Sequence, residues 1–326
     1  MINLRILLLL IIGCSCLGVY GQKNVRLVYY LKNSGRAVAS KDSADYWMVV
    51  APPDSSIDKK LYQVYEYYPN GKVRLMTNSR SKDINLVYQG KYIAYFPDGR
   101  KKRIGTYDKQ GHSTGHEVQY YPNGKLHSVV NYNAEGNVIY GDCRDSTGKV
   151  LAENGSGYWQ QFDEAFNSII AEGKIDSGVR VGDWHLKQGD SVSVDNKYNK
   201  GILQLSLRHS RCEPDIYEKA ETDPMFPGGE EGYQKLSSKI FVFPQSAELK
   251  DISGAIAISF IVEEDGKLTN FKFIHKVGYG MDEAELHVLQ QSPPWIPAKV
   301  NGKPVRAVWT KTYTITTTIV GRVRHL

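Results

Sequence analysis

Cysteine, clustered proline and long apolar stretches are scarce in this sequence, and each scarcity closes off a class of protein. Only four cysteines are present, two of them (Cys14 and Cys16) close to the start, and no CxxC pair occurs, so a thiolate zinc site has no basis. The 13 prolines are dispersed and form no Pro-rich spacer. No apolar run reaches the ~20 residues of a spanning helix, which excludes a polytopic membrane protein. Lys and Arg outnumber Asp and Glu by 41 to 35, yet the basic residues are spread out rather than gathered into the stripe that nucleic acid requires. No nucleophile with a base, no paired-carboxylate cleft and no phosphate-cradling glycine loop can be named, so neither an enzyme nor a cofactor is expected. Phenylalanine, at 9, is far outnumbered by tyrosine, at 22, and tyrosine suits a pleated surface that is apolar in its body and wet at its tip. The chain leans towards β structure.

Its 326 residues, at ~150 per domain, suggest about two domains. Residues 1–21 carry Arg5, then apolar Ile6 to Ile12, then small residues, the pattern of an export signal. Three outcomes stay open: cleavage after Gly21, lipid attachment at Cys14 within the lipobox-like Ile11-Ile12-Gly13-Cys14, or an uncleaved membrane anchor. Each puts the chain in the periplasm or cell envelope. Cys143 and Cys212 remain after processing, and an even pair in an exported protein permits one disulfide, which would close a loop of about 70 residues.

Between residues 60 and 150 the chain repeats itself. Tyr67-Tyr68-Pro69-Asn70-Gly71-Lys72, Tyr95-Phe96-Pro97-Asp98-Gly99-Arg100 and Tyr120-Tyr121-Pro122-Asn123-Gly124-Lys125 each read as a strand followed by a tight turn, because Asn-Gly and Asp-Gly supply the positive φ a hairpin needs. Weaker turns at Gly111, Gly136 and Gly148 complete an antiparallel meander. His112 and His116 stand four apart, but Ser113-Thr114-Gly115 between them is turn chemistry and argues against a helical metal pair. A variant continues through Gly157-Tyr158-Trp159 and Gly178 to Trp184. These residues resemble MORN-like repeats of the bacterial antitoxin type over about 60–190, and residues 22–198 form one expected domain.

Residues 199–223 lose the turn pattern and read as a linker to a domain over 224–326. There Phe226-Pro227-Gly228-Gly229 precedes a helix-compatible stretch, and Gln245 to Lys250 suggests a second short helix. The alternation of Ile256, Ile258, Phe260 and Val262 predicts a strand, turned at Asp265-Gly266. Asp282 is placed to cap a helix, Asn301-Gly302 to turn the chain, and Val305 to Val320 to form a long Thr-rich strand. The order predicts a small α+β domain with Trp295 in its core.

Phe226-Pro227-Gly228-Gly229, Phe243-Pro244, Asp265-Gly266, Trp295-x-Pro297 and Asn301-Gly302-Lys303-Pro304-Val305 together resemble the C-terminal domain of TonB-family energy transducers. The resemblance covers about residues 224–320 and implies a periplasmic domain that pairs an exposed strand with the TonB box of an outer-membrane transporter, with homodimer formation as a further option. It implies that Val308, Thr310, Thr312, Thr314 and Thr316 on the final strand, and Ile240, Phe241, Val242 and Phe243 leading into Pro244, contact the partner. The family's Pro-rich spacer is missing here. The competing expectation is an envelope repeat scaffold whose C-terminal domain mediates self-association.

Overall fold

The computed structural model describes residues 25–316 apart from 55, 57 and 249. The expected signal over 1–21, including Cys14, and the end of the final strand beyond Thr316 lie outside the described residues. The chain divides into two compact units, residues up to 99 with 107–112, and residues 100–106 with 113 onward.

In the first unit β1 (Leu27–Leu31), β2 (Tyr46–Ala51), β3 (Tyr62–Tyr67), β4 (Val73–Ser79) and β5 (Tyr88–Tyr95) pair successively and antiparallel. Alternation buries Leu31, Met48, Val50 and Val64 on one face, with Tyr62 and Tyr88 packed beside them. Strand β6 (Lys101–Tyr107) follows.

In the second unit the meander runs through β7 (Ser113–Tyr120), β8 (Leu126–Tyr132), β9 (Val138–Arg144), β10 (Val150–Glu153), β11 (Ser156–Phe162), β12 (Ile169–Asp176), β13 (Val179–Gln188) and β14 (Val192–Asn199). It does not stop at residue 198. β15 (Ile202–Ser210) pairs with β14, and β16 (Ile216–Lys219) pairs with β15. The expected linker over 199–223 is therefore mostly sheet. Its apolar residues Leu203, Leu205 and Leu207 alternate as a strand's should, but charged neighbours and the missing Asn-Gly turn mask the pattern.

Hairpin turns stand where the repeats predict them. Gly71, Gly99 and Gly124 all have φ between 82° and 92°, and each donates its N–H to the carbonyl three residues back. The aromatic of one repeat reaches the next turn: Tyr68 Oη donates to the Tyr95 carbonyl at 2.7 Å in the first unit, and Tyr121 Oη to the Arg144 carbonyl at 2.9 Å in the second. Asn and Lys follow suit, with Asn123 Nδ2 on the Ser146 carbonyl and Lys125 Nζ on the Thr147 carbonyl.

Cys143 is fully buried with Val130, Ala152, Trp159, Ala171, Ile175 and Trp184, whereas Cys212 is exposed after β15. Both are free thiols, so the bridge that the pair permits is not made in this structure. Cys143 serves as a small apolar core residue on β9, separated by several strands from Cys212.

The C-terminal part contains α1 (Gly229–Ile240), β17 (Ser253–Val262), β18 (Leu268–His275), α2 (Met281–Gln290), β19 (Ala298–Val300), β20 (Lys303–Val305) and β21 (Ala307–Thr316). The helix expected near Gln245 is a single 3-10 turn. Asp282 does not cap α2 through its own helix; its carboxylate accepts the N–H groups of Val277 and Gly278 at 2.9 and 2.8 Å, fastening the preceding loop. β17 pairs with β18 on one side and with β21 on the other, and the core gathers on Trp295, which meets Phe226 and Phe260 edge-on at centroid distances of 5.9 and 5.3 Å. Gly266 is needed here: a Cβ would fall 2.1 Å from the Trp295 carbonyl oxygen. Truncating Trp295, 5% exposed, to Ala should cost ~3–5 kcal/mol in denaturant unfolding of the chain.

Gly173 on β12 lies directly opposite Trp184 on β13, and a Cβ at 173 would fall 2.5 Å from the indole ring. Gly173→Ala should destabilise by about 2–3 kcal/mol through overpacking. The cost should shrink in a Trp184→Leu background, and equal costs in both backgrounds would show that the indole is not the obstacle.

Candidate partner-binding edge

β21 owes its position to two pairings. Its whole length is matched to β17, from Ala307↔Val262 to Thr316↔Ser253. On the opposite side β16 touches it only at Tyr217↔Ala307, in parallel, with Tyr217 N–H donating to the Arg306 carbonyl at 3.0 Å. That carbonyl faces β16. Main-chain groups alternate along a strand, so the N–H and C=O of Val308, Thr310, Thr312, Thr314 and Thr316 turn to the same outer side. Among the described residues no strand pairs with that side beyond Ala307. The open stretch is about 27 Å long at ~3.4 Å per residue.

The side chains explain why the strand holds its register. Trp309, Tyr313 and Ile315 pack on the core, while Thr310, Thr312, Thr314 and Thr316 are exposed on the other face. Lys311 lies on the core side and reaches α1, where Nζ meets Glu230 Oε2 at 2.7 Å and passes 4.4 Å from the Tyr233 ring. A pocket of about 250 Å³ adjoins this part of the edge, lined by Met225, Phe226, Glu230, Trp309, Thr310 and Thr312 among others.

The five positions expected on the final strand thus share one open side of main chain. The four from Ile240 to Phe243 do not join them. Ile240 ends α1 and packs with Phe241 on the same core as Tyr313 and Ile315, while Val242 and Phe243 are 75% and 44% exposed. No backbone hydrogen bond links 240–243 to β21 among the described residues; the N–H of Phe241 is spent on the Ser237 carbonyl as the helix cap.

A buried polar group beneath the edge was not foreseen from sequence. Glu285, on α2, is 6% exposed, and its Oε2 has no hydrogen-bond partner among the described residues. Nearby Tyr233 and Tyr313 join their hydroxyls at 2.6 Å, and burial raises both phenols above their ordinary range. Burial also pushes the Glu285 carboxyl up to about 7, opposed by the charge of Lys311. The spacing of α2 offers a hint only in retrospect: Glu285 sits four residues after Met281 and four before Leu289, on the buried face.

Comparison with protein families reaches these elements and part of the meander. Residues 240–315 match the family of the Gram-negative bacterial TonB protein C-terminal, and residues 113–134 match a MORN repeat variant. Both resemblances read from the motifs are thereby borne out over the matched residues. No curated protein matches the chain. The TonB match supports a TonB-like role in envelope energy transduction, with outer-membrane transporters as the general class of partner and the envelope or periplasm as location. No helix among the described residues is long and apolar enough to cross a membrane.

Glu285 makes this region pH-dependent in a defined direction. Unfolded, its carboxyl releases a proton near ~4.3; folded, it holds the proton up to about 7. Between those values the folded state binds more protons, so its contribution to stability falls as pH rises through that window. Glu285→Gln should stabilise the protein at pH 8, leave it nearly unchanged at pH 4, and flatten the difference between them in thermal unfolding. A variant that follows the parent at every pH would show that the carboxyl is not buried in its charged form.

Proposed function

We propose that this chain is a non-enzymatic envelope protein that takes an extended peptide segment of an outer-membrane transporter as an added strand on β21. The observation that carries this reading is the open outer side of Val308 to Thr316, which lies within the residues matched to the TonB C-terminal family up to Ile315. Strand addition draws affinity from main-chain hydrogen bonds and selectivity from side-chain pockets. Here the docked segment would continue the line begun by β16, and the Met225–Trp309 pocket would receive one of its apolar side chains. Export, by either processing route, brings the chain to the compartment where such segments are displayed.

Thr314 separates backbone from side-chain recognition, because its N–H faces outward and its side chain is exposed. Thr314→Pro removes that N–H, whereas Thr314→Val keeps it. In binding measurements against a transporter's periplasmic N-terminal peptide, the proline variant should lose at least about tenfold in affinity, the net value of one hydrogen bond plus local bending, while the valine variant stays near the parent. Both variants must show the parent's cooperative unfolding for the comparison to count. Equal losses would point to side-chain recognition, and no binding by the parent would leave the edge to self-association.

A further inference from the structure

The second unit carries another concave feature, on the meander and away from the residues matched to the TonB family. Register places Glu172, His185, Asp195, Leu207 and Tyr217 directly opposite one another on β12 to β16, so their side chains share one face of the sheet. Asp183, Lys197 and Leu205 form the adjoining row on the same face. With Tyr158 these two rows line a groove of about 460 Å³, a size that suits a small ligand.

Charge decides what could enter. The protein as a whole has a net charge of +6, yet this groove presents three carboxylates against one lysine. Asp195 is held by two imidazoles, His185 Nδ1 at 2.7 Å and His209 Nε2 at 3.0 Å. Glu172 takes a long hydrogen bond from Gln160 Nε2 at 3.4 Å and a second from the Tyr158 hydroxyl, and neither Glu172 nor Asp183 forms an ion pair among the described residues. An anionic ligand is disfavoured. No group of three or more metal-binding side chains among the described residues is arranged to hold an ion.

The carboxylates are also spaced. Glu172 and Asp195 stand two strands apart, about 10 Å at ~4.8 Å per strand, and Asp183 lies on the strand between them. A single ammonium ion cannot satisfy all three, whereas cationic groups joined by short alkyl links can. Leu205, Leu207 and the rings of Tyr158 and Tyr217 supply apolar surface for the links and π-faces for the cations.

We propose that this groove binds a linear aliphatic polyamine, with ammonium groups on Glu172, Asp183 and Asp195 and methylene segments against the leucines and tyrosines. The groove shares Tyr217 with the β16–β21 contact, but the variants tested below leave Tyr217 in place, so their outcome does not decide the strand-edge reading.

The test is isothermal titration of the full chain with spermidine at physiological ionic strength, beside magnesium chloride and the peptide Lys-Lys-Lys as separate titrants. One-to-one spermidine binding is expected, weakened at least tenfold by Glu172→Gln combined with Asp183→Asn and several-fold by Tyr158→Ala. Asp183 is exposed and the amides keep the shape of the acids, so the double variant should retain the parent's unfolding transition; if it does not, Tyr158→Ala alone carries the test. Absence of spermidine binding, or equal affinity in parent and variants, overturns the proposal. So does displacement by magnesium at matched charge, which would mark a diffuse ionic effect, and so does tight binding of the lysine peptide without spermidine binding, which would mark a protein-docking surface.

Discussion

A meander of short strands buries little in any one hairpin, so its turns must borrow their order from the turns beside them. The repeated unit does this with donors. A tight Pro-Asn-Gly turn leaves carbonyls that the strand ladder cannot use, and the neighbouring repeat supplies a phenol, an amide and an ammonium to them. Tyr68, Asn70 and Lys72 act on the carbonyls of Tyr95, Pro97 and Asp98 in one unit; Tyr121, Asn123 and Lys125 act on those of Arg144, Ser146 and Thr147 in the other. The same asparagine oxygen accepts the N–H two residues on, from Lys72 or Lys125, so one side chain both shapes its own turn and ties it to the next. At these two turns tyrosine does what phenylalanine could not, because its hydroxyl is used.

That local logic explains what could be read from residues alone. The repeats announce their turns because Asn-Gly and Asp-Gly have few other uses, and the α+β part is legible because Phe226, Asp265-Gly266 and Trp295 all answer to one packing centre. Where the pattern depended on long-range partners it was hidden. β15 and β16 lack the aromatic-Pro-Asn-Gly unit of the repeats and owe their pairing to β14 and β21. Asp282 looks like a cap, yet its carboxylate turns back to the loop at Val277 and Gly278. Cys143 and Cys212 invite pairing by number, but only the folded sheet shows one in the core and the other outside it.

The candidate edge was legible in kind and less so in extent. Alternation in β21 separates core residues from threonines, but which side of its main chain stays open depends on β16. After Lys219 the chain leaves β21 and bridges instead to Lys299 and Ile296 through Thr222 and Met225. A single diverging strand therefore creates the opening. The segment at Ile240 to Phe243 was assigned to the edge by resemblance, and what it shares with β21 is the core beneath rather than a hydrogen-bonded border.

An open edge invites indiscriminate pairing, and β21 limits it by chemistry. Its exposed face is threonine rather than valine or isoleucine, so a second strand gains hydrogen bonds there but little apolar burial. Its core face carries Lys311, which must keep its ion pair with Glu230, so a slip of one residue would bury threonine and expose Trp309 and Tyr313. Affinity for a docked segment must then come from the main chain together with the pocket beside Trp309. A partner that satisfies both is favoured over one that offers only a β-prone sequence, and in this way a free edge becomes selective without a deep site.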